Sequence, residues 1–91
     1  MGIQNGQVPP HLTLYSKPGC HLCDGMKVTI DQVATRVPLT IEIVDISTDP
    51  ALTERYGLEI PVLLVDGKKA AKYRLTAREL EAKLRGRRGP A

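Results

Sequence analysis

The spacing of apolar residues changes at Pro18-Gly19, and the chain's only two cysteines lie just beyond the change. Before it, residues 12–15 read Leu-Thr-Leu-Tyr, a short apolar run bounded by Pro10 and Pro18 that predicts a strand. After it, Leu22, Met26, Ile30 and Val33 recur at intervals of four, four and three, which predicts one helical stripe within 20–35. Pro18 and Gly19 stop the strand and deliver Cys20 to the entrance of the helix.

Cys20 and Cys23 are separated by His21 and Leu22. Two thiols on one helical turn can close a small disulfide, and a lone C-x-x-C in a small α/β chain reads first as a dithiol redox site. A sulfur at a helix N-terminus faces unpaired backbone N–H groups and the positive end of the dipole, both of which favour its thiolate. The amides of Leu22 and Cys23 are the nearest such donors. Lys17 offers a further positive charge, His21 a donor or a solvent-facing ring, and Asp24 an opposing charge in the first turn. The plainer alternative is a pair of buried, inert cysteines; Gly19 argues against it by leaving Cys20 open.

The rest of the chain continues the alternation. Residues 40–46 hold Ile41, Ile43, Val44 and Ile46, a β-branched run that predicts a second strand covered on both faces. Asp49-Pro50 is a helix start, with Asp as N-cap and Pro at the first helical position, and Gly57 a helix stop. Residues 62–65 predict a third strand, Asp66-Gly67 a tight hairpin and 68–73 the returning strand, with Tyr73 in a packing role. Thr76 and Glu79 fit a capping box, and Leu75 and Leu80 a hydrophobic staple, at the start of a last helix. The predicted architecture is α/β: β-α-β-α-β-β-α, a four-stranded mixed sheet flanked by three helices. Residues 1–10 read as a flexible leader, 11–85 as the domain and 86–91 as a flexible basic tail.

Composition narrows the function. With 91 residues and 42% hydrophobic content, there is one small core, and with neither Trp nor Phe it must be built from Leu, Ile and Val. The net charge of +3 is concentrated in Arg85, Arg87 and Arg88, without the interleaved aromatics of a nucleic-acid surface, so no nucleic-acid partner is expected. No apolar stretch predicts a membrane span or a secretory signal, and two cysteines are too few for a disulfide scaffold, so a cytoplasmic monomer is expected.

These pieces together resemble the thioredoxin superfamily, and its glutaredoxin-like members in particular. The resemblance covers about residues 12–84. It is carried by the strand entering Lys17-Pro18-Gly19-Cys20-His21-Leu22-Cys23, by Ile60-Pro61 before the third strand and by the Asp66-Gly67 hairpin. It implies a thiol-disulfide oxidoreductase in which Cys20 is the nucleophile and Cys23 resolves the mixed disulfide. It implies a cis bond before Pro61, with the backbone of Ile60 left to pair with an extended substrate. Lys17, Ile60 and Pro61 match glutathione contacts of the family, which makes glutathione a candidate co-substrate with no tightly bound cofactor. The family's Gly-Gly pair and following acidic residue after the fourth strand are absent from the corresponding stretch here, Lys72-Tyr73-Arg74-Leu75-Thr76, so half of the glutathione site is recognisable. The implied partners are a disulfide-containing protein or a glutathione mixed disulfide, and a reductase system.

Two other classes of function share the residues. One is a binding or adaptor domain that keeps the fold with little turnover. The other is a metal or iron–sulfur carrier. A closed zinc site needs four ligands, and only His11 and His21 could join the cysteines as nitrogen ligands; His21, between the two thiols, is poorly placed to converge with both, so no metal is expected.

Overall fold

The computed structural model describes residues 8–86. The elements run β1 (His11–Ser16), α1 (His21–Ala34), β2 (Thr40–Asp45), a 3-10 turn (Ile46–Thr48), α2 (Pro50–Tyr56), β3 (Val62–Val65), β4 (Lys68–Lys72) and α3 (Ala77–Gly86). The strands form one mixed sheet in the order β2-β1-β3-β4. β1 pairs parallel with β2, and β3 pairs antiparallel with both β1 and β4. This is the predicted four-stranded sheet with three helices. No helix among the described residues is long and apolar enough to cross a membrane.

Alternation along β1 divides the interior in two. Leu12 and Leu14 point to one face, where Met26, Ile30 and Val33 of α1 and Leu80 and Leu84 of α3 close over them with Leu63 and Leu75. A second cluster comprises Cys23, Ile46, Tyr56, Ile60 and Val62, with Tyr15 and Leu52 against it. Burying a leucine such as Leu12, Leu14, Leu63 or Leu80 (each 0% exposed) is worth roughly 1.5–3 kcal/mol relative to leaving it in water. The first cluster therefore anchors α1 to the sheet, and that fixes the helix end carrying the cysteines.

Local signals explain the boundaries. Asp49 accepts the N–H groups of Ala51 and Leu52 at 3.0 and 3.2 Å and starts α2. Asp66 and Gly67 both take positive φ, 51° and 85°, as a two-residue hairpin with twisted strands requires. Thr76 and Glu79 form the reciprocal capping box: the Thr76 N–H donates to Glu79 Oε1 at 2.9 Å and the Glu79 N–H to Thr76 Oγ1 at 3.1 Å. Leu75 and Leu80 are both buried, as the staple predicts.

Five expectations change. β2 is an edge strand, not one covered on both faces, and Ile41 and Ile43 are 38% and 51% exposed. A β-branched run favours a strand without saying whether it is central. The strand also stops at Asp45, whose carboxylate accepts the Ser47 N–H at 2.9 Å and turns Ile46 out of the strand into the second cluster. In α1 the buried stripe is Cys23, Met26, Ile30 and Val33, so Cys23 takes the place assigned to Leu22, which is partly exposed. Gly57 does stop α2, but in right-handed conformation, with φ −55°, not the left-handed one usual for a glycine at a helix end. Glycine serves close approach there, since a Cβ would stand 2.5 Å from the Thr53 carbonyl oxygen. Tyr73 lies beyond β4, 41% exposed, rather than packed in the core. Of the expected leader and basic tail, residues 1–7 and 87–91 lie outside the described residues; Pro10 is buried, and its carbonyl accepts the Thr40 N–H at 3.0 Å.

Three carboxyls, two exposed and one (Glu59) half-buried, sit below their ordinary range in the folded protein. Glu79 is held down by the Thr76 N–H and then its hydroxyl, Asp45 by the Ser47 hydroxyl and then its N–H, and Glu59 by the Lys69 ammonium. A lowered folded-state pKa contributes stability above the unfolded-state value and loses it as pH falls through the folded-state value. Solvent screening keeps each contribution modest. Glu79→Gln keeps an oxygen acceptor for Thr76 but does not titrate. Its melting temperature should fall less steeply than that of the wild type from neutral to strongly acidic pH. Identical slopes would remove Glu79 from the account.

Candidate active site

The site is built at the C-terminal end of β1. After Ser16 the chain leaves the sheet through Lys17 and Pro18 and turns at Gly19, whose φ of +81° is a conformation that L side chains rarely adopt. Cys20 follows as the N-cap of α1, in extended conformation with φ −92° and ψ 110°. Its carbonyl accepts the Asp24 N–H at 3.1 Å, the first bond of the helix. Its side chain acts where an N-cap Ser or Asp would: the Cys23 N–H donates to Cys20 Sγ at 3.2 Å. The two sulfurs are joined in a disulfide, with the Cα atoms 5.2 Å apart.

The two cysteines differ in access. Cys20 is half-buried at the rim, whereas Cys23 has no exposed surface and belongs to the second cluster. In the same cluster Tyr15 stacks on Tyr56, with ring centroids 4.5 Å apart and planes 14° from parallel. The Arg55 guanidinium lies 5.2 Å from the Tyr56 ring centroid. Cys20 packs against the same cluster, which includes Ile60.

The sequence-predicted residues divide accordingly. Cys20, Cys23 and Ile60 come together through the second cluster. The Ile60-Pro61 bond is cis, Pro61 is buried, and its carbonyl accepts the Tyr73 N–H at 2.9 Å. Ile60 is buried and lies outside the strand registers and the loop hydrogen bonds among the described residues. Of the two amides expected at Cys20, that of Cys23 makes the bond. Lys17 and His21 are exposed, and neither hydrogen-bonds a cysteine among the described residues. No group of three or more His, Cys, Asp or Glu is arranged to hold a metal ion among the described residues.

The stacked pair Tyr15–Tyr56 was not foreseen. The available signal was scarcity: the chain has three tyrosines and neither Phe nor Trp, and two of the three belong to or pack against the cluster that holds Cys23.

With this geometry in hand, comparison with known proteins is specific. A family model described as glutaredoxin-like domain (DUF836) matches residues 11–85. The chain belongs to this glutaredoxin-like family. The X-ray structure of XcR50 from X. campestris is 33% identical, with a TM-score of 0.71, over 85% of this chain and 99% of that one. The solution structure of Ne2328 from Nitrosomonas europaea is 30% identical, with a TM-score of 0.74, over 89% and 99%. The reduced form of desulfothioredoxin from Desulfovibrio vulgaris Hildenborough is 30% identical, with a TM-score of 0.63, over 82% and 78%. The glutaredoxin-like chain thus matches nearly the whole length of the first two.

The unequal burial of its cysteines has a direct chemical consequence. Once the disulfide is reduced, an alkylating reagent should modify Cys20 about tenfold or more faster than Cys23, because reactivity follows access and thiolate character. Mass spectrometry of the partly alkylated protein would give the ratio. Equal labelling would contradict the assigned geometry.

Proposed function

We propose that this protein is a small thiol-disulfide oxidoreductase. The observation that carries the reading is the Cys23 N–H donating to Cys20 Sγ at a helix N-cap. That amide and the helix dipole stabilise negative charge on the half-exposed sulfur. In the reduced protein the Cys20 thiolate attacks one sulfur of a substrate disulfide and forms a mixed disulfide, expelling the other sulfur as a thiolate that takes up a proton. Cys23 loses its proton and attacks Cys20 Sγ, which re-forms the Cys20–Cys23 bond and expels the second substrate thiol. Two electrons pass from the dithiol to the substrate, and an external thiol or reductase must return them.

Burial of Cys23 fits the resolving role, since it is shielded from outside disulfides but one helical turn from Cys20. The backbone of Ile60, outside the strand registers and beside Pro61, supports a role in holding an extended substrate by strand-like hydrogen bonds. Lys17 adds a positive charge for an anionic substrate group. A thioredoxin among the 30%-identical structures supports a dithiol cycle. Glutathione remains the candidate small co-substrate and the cytoplasm the compartment we propose.

Cys20→Ser should abolish reduction of a model disulfide. Cys23→Ser should still attack once but stop as a stable mixed disulfide, visible as the added mass of one substrate thiol. Retention of full turnover by Cys20→Ser would defeat the reading, and a wild-type protein without turnover would favour an adaptor role for the domain.

A further inference from the structure

Beside the site, on the side of the α2–β3 loop, the surface combines exposed apolar groups with excess positive charge. Leu58 is 94% exposed, two residues before Ile60. Glu59 next to it is bonded to Lys69 at 2.9 Å and also feels the through-space attraction of Lys72 and Arg55. Lys69 therefore binds this carboxylate directly, while Lys72 and Arg55 act on it only through space. Arg55 lies against the Tyr56 ring of the second cluster, and Lys72 Nζ lies 5.4 Å from the ring centroid of Tyr73.

Tyr73 shows that this surface is held in shape at a cost. Its φ is +69°, and the Arg74 N–H closes back onto the Lys72 carbonyl at 2.8 Å, which makes Tyr73 the centre of a three-residue γ-turn. That turn with positive φ is rare and strained, and a bulky residue is an outlier there. Two bonds fasten it to the loop: the Tyr73 N–H donates to the Pro61 carbonyl at 2.9 Å, and its hydroxyl to the Leu58 carbonyl at 3.0 Å. The surface is therefore continuous with the Ile60-Pro61 segment.

We propose that this surface docks an acidic stretch of polypeptide flanking the disulfide of a protein substrate. The proposal rests on the oxidoreductase reading and names its substrate class. Carboxylates of the bound chain meet Arg55 and Lys72, and an apolar residue covers Leu58 and the Tyr73 ring. A nucleic acid fits less well: three cations with Glu59 among them do not track a phosphate backbone, and that backbone brings no apolar group to Leu58.

The test needs no redox chemistry, so it can fail separately from the oxidoreductase reading. Fluorescence anisotropy would measure binding of cysteine-free labelled peptides, matched except for Glu or Lys at the charged positions, to the oxidised protein. At low salt the acidic peptide should bind about tenfold more tightly than the basic one, and the preference should shrink at high salt because exposed charges are screened. The double variant Lys72→Glu, Arg55→Gln should lose the preference. Equal affinity of the wild type for both peptides, a preference unchanged by salt or in the double variant, or tighter binding of a single-stranded oligonucleotide of equal charge would overturn the proposal.

Discussion

The N–H of Cys23 reaches the sulfur of Cys20 across 3.2 Å at the open end of α1, and the chemistry proposed for the protein depends on that contact. The first amides of a helix have no partner within it. Most helices satisfy one of them with a side-chain oxygen; here the acceptor is a sulfur that can carry charge. One interaction thus caps the helix and, in the function we propose, prepares the nucleophile. The sheet, the Gly19 turn and the burial of Met26, Ile30 and Val33 hold the two residues in that relation.

The two clusters divide the work. The leucine-rich side fixes α1 against β1 and α3. The other side contains the buried sulfur, the stacked tyrosines and Ile60, and is smaller and more polar. Access at the rim falls to Cys20 because Cys23 occupies a core position of the helical stripe. The proposed nucleophile and resolver are therefore distinguished by helical geometry, since one residue caps the helix and the other faces inward from its first turn.

Much of this was legible in the residues. Helix starts were readable because Asp49, Thr76 and Glu79 act on amides two or three positions away, within the range of local pattern. The Asp66-Gly67 hairpin was readable because few residue pairs accept two positive φ angles. The edge position of β2 was not, because sheet order depends on which strands pair across the chain. The Tyr15–Tyr56 stack joins residues 41 positions apart and has no local signature. Tyr73 misled for a related reason: an aromatic beside a strand suggests packing, and only tertiary bonds to Leu58 and Pro61 hold it in a turn that its own preference opposes.

The central claim concerns charge on one sulfur, and the most direct measurement is the pH dependence of thiolate absorbance in reduced Cys23→Ser protein, which leaves Cys20 as the only thiol. The account predicts ionisation well below the about 8.5 of a free cysteine, within roughly 3.5–7.5. A midpoint near that of free cysteine would mean that the helix start gives the sulfur no electrostatic support, and would contradict the account.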